Sequence, residues 1–224
     1  MFLRFRKFFV AALLPLFPLF AGAETLPVKP NLSNLMRDLQ KVDQTPEQLK
    51  LILWLPDDFW TSVISNKANA DDAVKVLSPY VIVAVLDAKV SPFGAFTYTP
   101  ESDMRRGIRI FDAAGNTYAP LEEKDFTSDL KIVIGSMRPI LATALGDMGK
   151  NMAFMVFPRQ GSNGKRIAVA TETGSFHVRF ADKDFNYRLP LESLSPQVKC
   201  VNDPELFPIS YKFCPYDGTP TVTP

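Results

Sequence analysis

The residues able to do chemistry are few, and most stand near one end. Both cysteines fall in the last 25 positions, as Cys200-Val201-Asn202-Asp203 and Cys214-Pro215-Tyr216-Asp217-Gly218. A thiol can cross-link, ligate a metal or exchange with a disulfide, and these three uses need different neighbours. The chain has one histidine, His177, out of phase with Phe176, Val178 and Phe180. That phase puts it on the wetter side of a strand, as a surface histidine and not a buried base. Two carboxylate doublets, Asp57-Asp58 and Asp71-Asp72, each precede an apolar-periodic run. Acids there suit a helix N-terminus, where they meet exposed N–H groups and the positive end of the dipole. The competing use, as metal or catalytic carboxylates, lacks a third ligand nearby. No Gly-x-Ser-x-Gly elbow, phosphate-cradling glycine loop, HExxH or His-rich pattern occurs. A hydrolase built on two carboxylates would leave no such mark, because the pairing is tertiary.

The element Tyr211-Lys212-Phe213-Cys214-Pro215-Tyr216-Asp217-Gly218 resembles the second knuckle of a zinc ribbon, in which Cys-x-x-Cys turns followed by Gly present thiolates to a tetrahedral zinc. The resemblance covers residues 200–218 only. It departs from the pattern systematically: the second Cys of each knuckle is an aspartate, Asp203 and Asp217. A Cys₄ site is therefore not encoded. Three readings remain. In an exported chain Cys200 and Cys214 pair as a disulfide, helped by the closeness that two former ligands of one site would have. Such a cross-link closes a loop of about 15 residues and contributes about 3 kcal/mol on the chain-entropy account. A mixed zinc site of Cys200, Asp203, Cys214 and Asp217 is the second. A free redox pair is the third, without the Cys-x-x-Cys that usually carries exchange. No cofactor is expected.

These residues have an address. Arg4, Arg6 and Lys7 precede an apolar run over 8–20, and Ala21-Gly22-Ala23 is a small-residue cleavage pattern. That is a secretory signal peptide, 1–23. A spanning helix needs about 20 apolar residues, and Pro15 and Pro18 interrupt this run. The expected location is periplasmic or secreted, with no integral membrane segment after cleavage. The whole chain carries formal charge +1; removing Arg4, Arg6 and Lys7 leaves −2. A near-neutral surface gives no electrostatic case for nucleic acid or an anionic membrane face.

The central positioning element is 80–86 (YVIVAVL), seven apolar residues of which four are β-branched. An unbroken run of this kind marks a strand covered on both faces. Before it, Leu32, Leu35, Met36, Leu39 and Val42 recur at helical spacing and predict a helix over 31–42. Thr45-Pro46-Glu47-Gln48 has the form of a capping box and predicts one helical turn, followed by a strand from Lys50 closed by Pro56. Three arginines, Arg105, Arg106 and Arg109, read as a solvated edge or an anion contact. Residues 108–118 read as a hairpin turning at Gly115. The apolar residues of 128–148 predict a helix bent near Pro139. After it come strands over 152–157 and 167–170 joined at Asn163-Gly164. Phe176/Val178/Phe180 and Phe185/Tyr187/Leu189 then alternate as two antiparallel strands.

The fold class expected is α+β: a mostly antiparallel sheet or sandwich with covering helices, one domain over 24–196, and a small disulfide-closed appendage over 197–224. The function expected is binding of another protein or envelope component, of unknown identity, by an exported non-enzymatic protein. The alternatives are a small-ligand carrier using Trp54, Trp60, Phe93 and Phe96, and a hydrolase without a sequence signature.

Overall fold

The computed structural model describes residues 31–161 and 164–224. The expected signal peptide, the lead-in 24–30 and Asn163 of the Asn-Gly turn lie outside the described residues. The fold is α+β, with antiparallel sheets throughout.

The run expected to be central is central. Strand β3 (Tyr80–Val90) has every residue from Val81 to Leu86 buried. On one edge it pairs with β2 (Gln48–Trp54), which pairs with β1 (Gln40–Gln44). Its other edge is shared by two strands in tandem. The first half takes β7 (Ala153–Pro158), the last three residues β4 (Phe96–Tyr98).

Registered partners share a face, so Ile52, Trp54, Val83, Val85 and Met155 point one way, and Leu53, Ala84 and Phe154 the other. The first face meets a second sheet, ordered β6 (Thr117–Tyr118), β5 (Ile108–Asp112), β8 (Gly174–Phe180), β9 (Lys183–Leu189). The Trp54 ring packs edge-on against Phe176 at 4.8 Å and Tyr187 at 5.5 Å. The Tyr187 hydroxyl donates to the Leu39 carbonyl at 3.0 Å, and burial pushes its ionisation far up. The second face is covered by helix α5 (Ser128–Leu145), which buries Leu130 and Ile134 and lays the Arg138 guanidinium 5.9 Å from the Phe154 ring centre. The order is therefore sheet, sheet, helix, and only the middle layer is apolar on both sides.

Several local expectations give way to tertiary context. The helix α1 (Leu32–Leu39), capped by Asn31, stops three residues short of the expected end, and its last expected position, Val42, lies in β1. Thr45 does accept from the N–H groups of Glu47 and Gln48 at 3.3 and 3.1 Å, yet this closes the β1–β2 turn and starts no helix. A short side-chain acceptor closes a turn as readily as it caps a helix. Asp71 and Asp72 lie inside α3 (Lys67–Leu77), whose cap is Asn66; they pair with Lys67 and Lys75. Helix α2 (Asp57–Val63) starts at Asp57 as expected, with no side-chain cap. Two of the three arginines are not on a strand edge: Arg105 and Arg106 lie on a further helix, α4 (Glu101–Gly107), while Arg109 lies on β5 where only β8 pairs with it. Arg105 is mostly buried and donates to the Leu121 carbonyl and Glu101 at 2.7 and 2.8 Å.

Helix α5 continues through Pro139, and Gly146 separates it from α6 (Asp147–Lys150). The expected strand at 167–170 is absent. Ala168 adopts a positive φ of 53°, which breaks a ladder.

Candidate functional site

The tail is a unit of its own. Strands β10 (Gln197–Lys199) and β11 (Leu206–Pro208) pair antiparallel, Lys199 bridges to Val222, and Phe213 bridges to Pro220. Turn 200–205 joins β10 to β11, and turn 214–219 joins the other two short segments. Cys200 begins the first turn and Cys214 the second. The two form a disulfide with Cα atoms 5.2 Å apart, both cysteines buried. With both thiols joined to each other, the mixed Cys₂Asp₂ zinc set has no thiolate to offer. Among the described residues no group of three or more His, Cys, Asp or Glu is placed to hold a metal ion.

The two aspartates that stand where a knuckle has its second cysteine close the turns instead. Asp203 accepts from the Glu205 N–H at 2.8 Å. Asp217 accepts from the Thr219 N–H at 2.9 Å and its hydroxyl at 2.7 Å, and from the Asn202 side-chain amide at 3.0 Å. The last bond crosses from one turn to the other. Those donors, the Thr219 N–H first, hold the Asp217 carboxyl below the usual carboxylate range. Asn202 was not singled out in the sequence; its position beside Asp203 in one turn, facing Asp217 in the other, depends on the cross-link.

The surface of this unit is unusually apolar. Val201, Leu206, Ile209, Tyr211, Phe213, Tyr216 and Val222 are each between 40% and 65% exposed. By register Leu206, Lys199 and Val222 share one face, as do Phe213 and Pro220. Phe207 organises the other side, with ring centres of Tyr211 at 5.5 Å and Tyr216 at 5.9 Å. The Tyr216 hydroxyl donates to Glu205 at 2.6 Å. Chemically the arrangement offers hydrophobic and aromatic contact on a cross-linked frame.

The four aromatics expected to line a pocket are not brought together. Trp54 and Trp60 are fully packed, and the Trp60 Nε1 donates to the Leu55 carbonyl at 3.2 Å. Phe96 pairs with Val90, at the opposite end of β3 from Val83, the partner of Trp54. Phe93 is 99% exposed, so it joins neither tryptophan.

Asp57 and Asp58 do line a cleft of about 220 Å³ with Arg159, Arg166 and Ala168. Arg159 is buried and holds both Asp57 oxygens, at 2.5 and 3.0 Å. Asp58 is pushed up by burial and then by the neighbouring Asp57 charge, although its own backbone N–H and Arg159 act against the rise. Asp57 is thus committed to a charge pair that fastens β7 to α2, with the Asp58 carboxyl beside it. His177 lies on the outer face of the second sheet, stacked on Phe111 at 4.7 Å with its Nε2 3.9 Å from Asp184. Arg179 takes Asp184 with two bonds, at 2.7 and 2.9 Å.

Comparison with protein-family models, with curated proteins and with solved structures found no match.

Proposed function

We propose that this is an exported, non-enzymatic protein that acts by binding another protein of the envelope through residues 197–224. The observation that carries the reading is the apolar tail surface. Seven large apolar side chains stay exposed in a unit whose backbone is fixed by a disulfide and two aspartate-closed turns. Exposed apolar surface on a rigid frame is what protein interfaces are made of, since little ordering entropy is lost on docking. A degenerate zinc ribbon, with the disulfide standing in for the metal, accounts for the layout of two turns facing each other. The disulfide, together with the absence of any helix among the described residues long and apolar enough to cross a membrane, is compatible with an extracytoplasmic site of action.

The test is site-specific photo-crosslinking in the producing cell, with the photoreactive residue placed at Phe213 or, as a control, at the exposed Lys67. A discrete adduct at position 213 and none at 67 is expected. Equal, diffuse labelling at both positions would sink the reading, and an adduct with the protein's own mass would replace the foreign partner with a second copy.

A further inference from the structure

A small cleft in the body stands apart from the tail. It lies where the start of α2 and the end of β7 meet the irregular segment 166–171, and it holds about 220 Å³. That is several times the share of one water molecule, about 30 Å³, and below the range of drug-sized pockets, about 300–1,000 Å³. Four charged side chains line it: Asp57, Asp58, Arg159 and Arg166. Two of the four are committed to each other, since Arg159 holds both Asp57 oxygens. Arg166 reaches Glu172 at 2.7 Å, but both of these side chains are more than half exposed, and such a pair is weak.

The unpartnered groups of the cleft are of two kinds. The first is a set of donors. Among the described residues the N–H groups of Ala168, Val169, Ala170 and Thr171, all of which line the cleft, have no acceptor. Ala168 and Ala170 are 5% and 2% exposed, and an N–H without a partner is costly there. The carbonyls of the same segment are better served: Val169 accepts from the Glu172 N–H at 3.2 Å and Ala170 from the Leu191 N–H at 2.8 Å. The left-handed φ of Ala168 turns the backbone as it is turned in the concavities where successive N–H groups hold an anion. The Arg159 side chain is 5% exposed, and its Nε donates to nothing among the described residues. The second kind is the Asp58 carboxyl. The Thr61 and Ser62 hydroxyls donate to the Asp58 backbone carbonyl, and no side chain among the described residues donates to its carboxyl. Burial and the Asp57 charge both oppose its ionisation, so the fold by itself gains nothing from this charge.

We propose that the cleft binds a small zwitterion, an α-amino acid the size of glycine or alanine, with its ammonium on Asp58 and its carboxylate on Arg166 and the N–H groups of 168–171. Complementarity selects this class. A simple anion would meet the N–H groups and also the Asp58 charge. A simple cation would satisfy Asp58 but leave the N–H groups as they are, with Arg166 beside it. A ligand with one charge of each sign serves both kinds of group, and opposed charges attract more strongly in a partly buried cleft than in water. The volume limits the ligand's own side chain to a few heavy atoms.

The experiment uses the full mature chain, isotope-labelled for nuclear magnetic resonance, with the amides of 168–171 as reporters. Glycine and L-alanine should each shift these amides saturably, in the millimolar range or tighter. Acetate, which carries only the anion, and methylammonium, which carries only the cation, should each bind about tenfold more weakly, as the loss of one charge-assisted contact implies. Asp58→Asn should weaken glycine about tenfold for the same reason, and it should leave the melting temperature no lower, because the charge it removes is disfavoured by burial. Arg166→Gln, at an exposed side chain, should weaken glycine and acetate alike and leave methylammonium unchanged. Acetate binding as tightly as glycine would make the cleft an oxyanion site, methylammonium binding as tightly would make it a cation site, and either result overturns the proposal. So does the absence of any saturable shift, or glycine binding that Asp58→Asn or Arg166→Gln leaves unchanged. Neither variant touches residues 197–224, so the Phe213 adduct reads the tail separately.

Discussion

The body and the tail are both antiparallel β structure, and they are held together by opposite means. In the body, β3 lies between two apolar layers, and the residues from Leu35 to Leu191 form one continuous core. In the tail, Val198, Cys200 and Cys214 are buried but stand outside that core, and every other side chain is at least partly in water. Twenty-odd residues cannot enclose a hydrophobic centre, so a covalent bond and turn-closing carboxylates do what burial does elsewhere. The difference teaches where surface can be spared. A unit that does not depend on apolar burial for its shape can leave its apolar side chains outside.

The sharpest way to break this contrast is to damage one region and watch the other. Trp54→Ala removes a fully buried ring wedged against Phe176 and Tyr187 and is expected to cost the body about 3–5 kcal/mol. Thermal unfolding followed by near-ultraviolet circular dichroism reads that loss, while amide exchange at Thr219 in the tail stays as before. Asp57→Asn strands the buried Arg159 charge and should cost the body about 3 kcal/mol; replacing the pair together, Asp57→Leu with Arg159→Met, should restore most of it. If the double replacement is as damaging as the single one, the ion pair is stabilising in its own right. Cys200→Ser with Cys214→Ser should remove about 3 kcal/mol from the tail and leave the body's melting temperature unmoved. A body that melts early in this variant would show that the two regions share a core after all.

Smaller effects sharpen the same contrast. Phe213→Ser should change stability by less than about 0.5 kcal/mol, as an exposed substitution does, and abolish the adduct formed when the photoreactive residue is placed at the exposed Tyr211 instead. pH acts on the two regions with opposite signs. Asp58 in the body has its folded value raised by burial, so its contribution is full below the ordinary value of 3.8 and is lost as pH rises through the folded value. Asp217 in the tail has its folded value lowered by the Thr219 and Asn202 donors, so its contribution is present above 3.8 and is lost as pH falls through the folded value. Acidification should therefore loosen tail amides, read by hydrogen exchange at Thr219, and Asp217→Asn should flatten that dependence.

What the sequence disclosed follows from how far apart the causes lie. The β-branched run 80–86 and the alternations at 176–180 and 185–189 are patterns within one strand, and all three are strands. The cysteines carried the cross-link because the compartment argument needs no geometry. The β1–β2 turn was misread because Thr45 satisfies the same N–H groups in a hairpin as in a helix start. The Arg159–Asp57 pair joins residues that no local pattern connects. In the tail, the cysteine and aspartate spacing marked the two turns, but no periodicity announced which side chains would stay outside. Phe93 was legible as an aromatic beside a turn, and its exposure was not.

The two-part edge of β3 bears on how the chain reaches this state. Val90 finds Phe96 within a few residues, whereas Val81 must wait for Phe157. As the chain emerges from its N-terminal end, the wholly apolar stretch of β3 has β2 on one side and an open backbone edge on the other until β7 arrives. Loop closure over that separation is slow compared with hairpin formation. The interval is one in which a newly made chain depends on being held apart from its copies, by a chaperone or by dilution, so recovery of folded protein should fall as its concentration during refolding rises.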